Sequence, residues 1–178
     1  MIVALLAGPV IPAARGLLGR RLVSDVGGTR TALVLTEVEA YDGADDPASH
    51  AYRGRSPRNT SMFEGPGTLY VYRSYGIHWC MNVVCGPAGR ASAVLLRGGV
   101  PLEGIEVMTR RRGRAARLAE GPGNLTQALG VTGEHDGTSV LDGPVRIEGV
   151  PVPGEIVATR RVGITQASDR LWRFVLVP

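Results

Sequence analysis

Between Thr36 and His50 the sequence reads TEVEAYDGADDPASH. Two glutamates, Glu37 and Glu39, close an apolar run, and then come Tyr41, an acidic turn and His50. Side chains two residues apart on a strand project to one face. Leu33, Leu35, Glu37, Glu39 and Tyr41 are therefore expected on one face, with Ala32, Val34, Thr36, Val38 and Ala40 on the other. An apolar face that turns acidic at its end is either a strand emerging into solvent or a carboxylate at the mouth of a pocket. In the second case the carboxylate can take a proton from water, and a planar group can rest on the Tyr41 ring beside it. His50, taken alone, is more often a surface or capping residue than a catalytic one.

Two further stretches bear on that choice. YRGRSPRN, Tyr52 to Asn59, carries Arg53, Arg55 and Arg58 with few apolar residues. Such a loop can hold phosphates by charge-assisted hydrogen bonds, or it is simply soluble. In LYVYRSYGIHW, Tyr70 and Tyr72 share a face, and Tyr75 stands at a turn beside Arg73 and Gly76. A large ring exposed at a hairpin tip either packs on another loop or inserts between bases, with arginine holding the backbone. Asn82 falls deep in the next strand, where a buried amide must find partners, a ligand's edge among them. Stacking walls at Tyr41, His50 and Tyr72, a carboxylate, an amide and a wedge are the parts needed to act on a base extruded from a duplex.

Composition narrows the chemistry. All 20 basic residues are arginine, so a lysine Schiff base is excluded. The net charge of +4 and the pI near 9.6 suit a phosphate-rich partner, though many enzymes share them. Cys80 and Cys85 sit in apolar, strand-like sequence, as reduced thiols of a cytosolic protein would. His50, His78 and His135 are too scattered for a zinc site, and neither a metal nor another cofactor is expected. The run MIVALLAGPVIPAA lacks the preceding positive charge of a signal peptide, and no apolar run approaches the ~20 residues of a membrane span.

The elements that must position these groups read as one mixed α/β domain over residues 1–178, with a mainly antiparallel sheet. A helix is expected from Pro12 to Arg21, with Ala13, Leu17 and Leu18 on its apolar face. RLVSDV and TALVLTEVEAY form a hairpin around GGTR. Asp42 to Pro66 is too long for a connector and is either a functional loop or partly mobile. GTLYVYRSYGIHWCMNVVCG gives two strands and RASAVLLRGG a third, buried one. PLEGIEVMTRRRGRAARLA reads as a helix through Leu102, Ile105 and Met108. GPGNLTQALG is a glycine-rich loop opening a short helix, and short strands follow Gly137.

The run EVEAYDGADDPASH…RGRSPRNTSMFEGPGTLYVYRSYGIHWCMNVV closely resembles the alkyladenine DNA glycosylases, also called 3-methyladenine DNA glycosylases of the mammalian type. ARGLLGRRLV before it extends the resemblance, as do AVLLRGGVPLEGIEVM, LAEGPGNLTQALG and RVGI after it. The resemblance implies a single-domain fold with a curved antiparallel sheet, surrounding helices and a protruding β-hairpin that enters the minor groove. It also implies monofunctional hydrolysis of the N-glycosidic bond of alkylated or deaminated purines, such as 3-methyladenine, 7-methylguanine and hypoxanthine. Glu39 then matches the base that activates water, and Tyr41 matches one wall of the flipped base. His50 and Tyr72 match the other wall. Tyr75 matches the residue that fills the vacated stack, Asn82 the amide that excludes guanine, and Arg97 an arginine close to the catalytic carboxylate. Arg55, Arg58 and Arg73 are expected on the DNA backbone, although Arg73, Ser74 and His78 fall at variable positions and carry less weight. A bacterial, cytoplasmic, nucleoid-associated monomer acting on damaged double-stranded DNA is the resulting expectation. Alkylation at N3 or N7 makes a purine cationic, so the site needs aromatic faces and a base for water rather than an amine nucleophile.

Two other classes compete. A non-catalytic nucleic-acid-binding module, related in fold to the formyltransferase C-terminal domain, has no use for a carboxylate facing a polyanion. A nuclease would usually bring a metal-binding carboxylate cluster, for which DGADD is the candidate. Asn82 supplies a test of the specificity role. Asn82→Ser is expected to raise excision of guanine relative to hypoxanthine, because unmet polar groups can discriminate by up to ~10⁴-fold. The rate ratio and the melting temperature should be measured on one preparation. An unchanged ratio with lowered stability would leave Asn82 as a strand tie.

Overall fold

The structure, a computed structural model, describes residues 2–177. Met1 and Pro178, the ends of the apolar N-terminal run and of the last expected strand, lie outside the described residues. Two short helices, α1 (Ile2–Leu6) and α2 (Val10–Leu17), lead into β1 (Arg21–Ser24) and the long β2 (Thr31–Asp42). After a folded loop come β3 (Leu69–Ser74), β4 (His78–Cys85) and β5 (Ser92–Glu103). Helices α3 (Ile105–Arg112) and α4 (Pro122–Leu129) precede β6 (Val145–Glu148), β7 (Glu155–Thr159) and β8 (Arg173–Val177). Among the described residues these strands form one curled antiparallel sheet in the order β3-β4-β5-β2-β1-β6. β1 covers the first half of one edge of β2 and β8 covers the second half, with β7 outside β8. The α+β, antiparallel architecture expected from the sequence is thus present.

The two faces of the sheet have different company. Leu69 and Val71 of β3, Met81, Val83 and Cys85 of β4, and Val94 and Leu96 of β5 pack with α1, α2 and α4 in the main core. The alternate residues, Tyr70, Val84 and Ala93, join Ala51 and Met62 beneath the Asp42–Pro66 loop in a smaller cluster, with Tyr72 against it. Period-two alternation therefore sends the tyrosines to the face opposite the main core.

β2 departs from the expected alternation. Leu33 and Leu35 lie in the main core, but so do Val38 and Ala40. The pairing with β5 slips between Leu35, Glu37 and Val38, opposite Gly98 and Gly99. This irregularity reverses the phase of the strand, as extra residues in a ladder do. Glycine is needed opposite it: a Cβ on Gly99 would meet the Leu33 side chain at 2.4 Å and the Val34 carbonyl at 2.7 Å. Glu39 and Tyr41 consequently turn away from the core that holds Leu33 and Leu35.

Two helix expectations are also corrected. α2 begins at Val10 and ends at Leu17 because Leu18 is already extended; Arg20 and Arg21 lie beyond it. Ala13, Leu17 and Leu18 are nonetheless buried as expected. The stretch after Arg97 continues as strand through Glu103, and the helix covers only Ile105 to Arg112. Gly104 makes the break: its φ of +68 is left-handed, and a Cβ there would meet the Arg30 carbonyl at 2.6 Å. Leu102 and Ile105 are exposed, and of the three expected core residues Met108 alone is buried.

The Asp42–Pro66 loop folds onto the sheet around a buried ion pair. Asp46 and Arg161 have fully buried side chains. Arg161 donates to both carboxylate oxygens, at 2.8 Å to Oδ1. Asn59 donates from Nδ2 to the carbonyls of His50 at 2.9 Å and Gly54 at 3.1 Å. Arg90 donates to Asp42 at 3.0 Å and to Asp45 at 2.7 Å. The DGADD carboxylates are therefore partnered by arginines. Among the described residues no three His, Cys, Asp or Glu side chains are grouped to hold a metal ion. Nor is any described helix long and apolar enough to cross a membrane.

The ion pair carries a pH signature. Burial would raise the Asp46 carboxyl, but hydrogen bonds from Arg161 hold it below its ordinary 3.8. Burial likewise works against Glu37, and Arg173 and Arg97 hold it below 4.5. Both folded values are depressed, so the stability they contribute is present above the unfolded values and is lost as pH falls through the folded ones. The melting temperature is expected to drop below about pH 4.5. Asp46→Asn, which strands a buried guanidinium, should cost ~3–5 kcal/mol at neutral pH. Denaturant unfolding across pH checks both, and a variant as stable as the parent would contradict the assignment.

Candidate active site

Glu39 lies in the middle of β2 and its side chain is completely buried. Cross-strand pairing places it in one transverse row, Tyr70–Asn82–Leu95–Glu39, across β3, β4, β5 and β2. Neighbouring strands lie ~4.8 Å apart, so Asn82 and Glu39 sit two strands, roughly 10 Å, from one another on the same face. A second row, Tyr72–Cys80, lies beside the first. Above these rows opens a cavity of about 550 Å³, lined by Tyr41, His50, Tyr72, Asn82, Leu95 and Arg97 among others.

A buried carboxylate must be paired or hydrogen-bonded. Oε2 of Glu39 accepts the Tyr41 hydroxyl at 2.8 Å. Oε1 accepts the Val162 amide at 2.8 Å and lies 3.4 Å from Arg97 Nε. Arg97 also donates to Glu37 Oε1 at 2.8 Å, where Arg173 donates at 2.7 Å. Burial opposes the Arg97 charge, but Glu39 and Glu37 outweigh it and hold the guanidinium above its usual pKa. Burial, reinforced by Glu39, pushes the Tyr41 hydroxyl far above its ordinary value. Tyr41 is therefore a permanent donor to Glu39.

The aromatic walls support one another. Tyr70 and Tyr72 stack at 5.4 Å between centroids. His50 at the rim meets Tyr72 edge-on at 4.5 Å, and its Nδ1 is 2.9 Å from the Tyr70 hydroxyl. Burial, with Arg58 nearby, lowers the His50 pKa and favours the neutral imidazole. Burial raises the Tyr70 hydroxyl to about 12. Asn82 gives one amide hydrogen to the Tyr70 carbonyl at 3.2 Å across the β3–β4 ladder. Opposite these rings, the Arg161 guanidinium lies 4.6 Å from the centroid of Tyr41.

The structure thus brings Tyr41, His50, Tyr72, Asn82 and Arg97 around one cavity. Glu39 is not in the lining but lies behind it, held by Tyr41, Val162 and Arg97, which are. Arg58 also lines it and lies over the Tyr72 ring at 5.7 Å. Tyr75 reaches the rim from the β3–β4 turn and is 91% exposed. Arg73 lies on the same hairpin, over Trp79. Arg55 stands apart from the lining and pairs with Glu64 at 3.7 Å. Sequence reasoning passed over Val162, which holds Glu39, and Arg161 and Arg173, which hold the neighbouring carboxylates. RVGI, one of the runs that extend the resemblance, was the available hint; by residue type these arginines look like the other 18. Tyr70, noted for its alternation with Tyr72, supplies the partner of His50.

Comparison with known proteins gives a consistent picture. The profile of the family described as methylpurine-DNA glycosylase (MPG) matches residues 4–177. A protein of Rhodopseudomonas palustris strain BisB18 is 52% identical over 145 residues, 80% of this chain and 72% of that one. One of Rhodococcus jostii strain RHA1 is 51% identical over 174 residues, covering 92% and 76% of the two chains. One of Frankia casuarinae is 47% identical over 183 aligned residues, covering 94% and 84%. All three are named as candidate 3-methyladenine DNA glycosylases.

The hairpin tip itself is testable. Tyr75 adopts φ +49, the left-handed region, with almost its whole ring in water. For a residue with a Cβ this costs ~1–2 kcal/mol. Tyr75→Gly is therefore expected to fold as stably as the parent or more so, despite losing the ring. A fall in melting temperature would mean that the ring packs on the protein.

Proposed function

This chain belongs to the methylpurine-DNA glycosylase family, and from there we propose that it flips a damaged purine out of duplex DNA and hydrolyses its N-glycosidic bond. The observation that carries this reading is the buried Glu39 carboxylate directly behind the lining of an aromatic cavity, held there by Tyr41, Val162 and Arg97, with an exposed tyrosine at the rim. Tyr41 forms one wall for the base, with His50 and Tyr72 opposite. Tyr75 fills the gap in the stack, and Asn82 meets the Watson–Crick edge. Arg58 and Arg73, with Arg55 further out, face the DNA backbone.

The chemistry follows from these positions. Glu39 has no surface in water at rest, so the reading requires a water to reach it from the cavity through its cover of Tyr41, Val162 and Arg97. The oxygen of that water bonds to the anomeric carbon of the sugar. The carbon–nitrogen bond breaks with its electron pair leaving on the purine, and a water proton passes to Glu39. A purine alkylated at N3 or N7 departs as a neutral base. A deaminated one leaves with negative charge and takes up a proton. The Val162 amide, at 2.8 Å, and Arg97, at 3.4 Å, hold the Glu39 carboxylate in place. The absence of lysine supports hydrolysis without a lyase step. A binding module would leave the buried carboxylate without a purpose.

Glu39→Gln keeps the shape of the side chain and removes the base. Single-turnover excision from a hypoxanthine duplex is expected to fall by ~10²–10⁴-fold, with lesion binding retained. A variant cutting at the parental rate would move the role away from Glu39.

A further inference from the structure

Arg161 has no solvent-exposed side-chain surface, and it is absent from the cavity lining that its neighbours Val162, Gly163 and Ile164 form. It nonetheless grips both sides of the site. It donates to the Ala40 carbonyl at 2.9 Å, between Glu39 and Tyr41 on β2. It also lies over the rings of Tyr41 at 4.6 Å and Trp172 at 5.3 Å. The next residue, Val162, donates its amide to Glu39 Oε1 at 2.8 Å. The arrangement is a poor stabilising device. A buried ion pair is often matched or bettered by apolar residues, and here Arg161 Nε is buried without a partner.

We propose that Arg161, paired with Asp46, is a positioning residue that clamps the 161–164 segment to β2, so that the Val162 amide stays on Glu39 and Tyr41 stays upright beside it. This rests on the reading of Glu39 as the base. Loosening the clamp withdraws the Val162 donor from the carboxylate, and a hydrogen bond to the charged form of a carboxyl group favours that form. The charged and titratable groups around Glu39 are Tyr41 and Glu37 on its own strand, Arg97 from β5 and Arg173 from β8 through Glu37. From the 161–164 segment comes Arg161, with Asp46 and, 3.8 Å from Asp46, Arg170. Tyr41, Glu37, Arg97 and Arg173 are untouched by the variants below, and the Val162 analogue also keeps Arg161 and Asp46, so a shift in it reports the lost amide rather than a lost charge.

The test removes the pair together, Asp46→Leu with Arg161→Met, and follows melting temperature, duplex affinity and single-turnover hypoxanthine excision between roughly pH 5 and 9. The proposal expects a melting temperature near the parental one, affinity within about threefold, excision at least ~10-fold slower at neutral pH, and an acid limb moved up by about one unit. Arg161→Lys, which keeps the charge, should recover part of the rate. Parental rate, or a slower rate with an unmoved acid limb, overturns the proposal. Should the double variant not fold, replacing Val162 by its α-hydroxy acid deletes only the N–H that reaches Glu39. The same upward shift is expected, and an unmoved limb overturns the clamp. Glu39→Gln run alongside separates the two claims. Its full activity would sink the reading of Glu39 as base, whereas an inactive Glu39→Gln beside an unshifted Val162 analogue sinks the clamp alone.

Discussion

A carboxylate in the middle of a sheet, with no surface in water, is the constraint around which the rest is arranged. Stranding such a charge costs several kcal/mol, so each oxygen of Glu39 needs a donor that cannot wander. Tyr41 supplies one from the same strand, at 2.8 Å. The Val162 amide supplies another from a segment 123 residues away in sequence. Arg97 adds charge from the adjacent strand, and is itself held by Glu37. The Tyr41 wall of the cavity and the carboxylate behind it are thereby one unit, since the ring that would stack on a base is also the donor to the carboxylate.

The sheet sets the spacing of this unit. Registered pairing puts Asn82, Leu95 and Glu39 in one row, so the Asn82 amide and the carboxylate are separated by two strands of fixed geometry. The opposite face of β3, β4 and β5 is packed into the main core by residues such as Leu69, Met81 and Leu96. A site on such a floor is held more firmly than one built on loops. The exposed groups lie elsewhere, on the hairpin tip with Tyr75 and on the loop with Arg55 and Arg58.

Much of this was legible in the sequence. Two-residue alternation placed Tyr70 and Tyr72 on one face, as the structure has them, and the long motif runs brought the resemblance that directed attention to Glu39, Asn82 and Tyr75. The slip opposite Gly98 and Gly99 was not legible. Alternation assumes an unbroken ladder, and the true phase depends on what the partner strand can admit. The strand through Leu102 was missed because Leu102, Ile105 and Met108 fit a helical spacing, while the break at Gly104 is a matter of backbone conformation. Arg161 and Arg173 were hidden by composition. In a chain whose cations are all arginine, residue type cannot separate a buried clamp from a solvated charge, and their partners lie over a hundred residues away.

The central claim is that this cavity releases a base by hydrolysis. It is tested most directly by incubating the protein with duplex carrying one hypoxanthine or 3-methyladenine and assaying free base, abasic sites and strand length together. Free base equal in amount to abasic sites, on strands that remain intact until treated with alkali, is the predicted result. Tight binding without release, or strands cut with the base still attached, would contradict it.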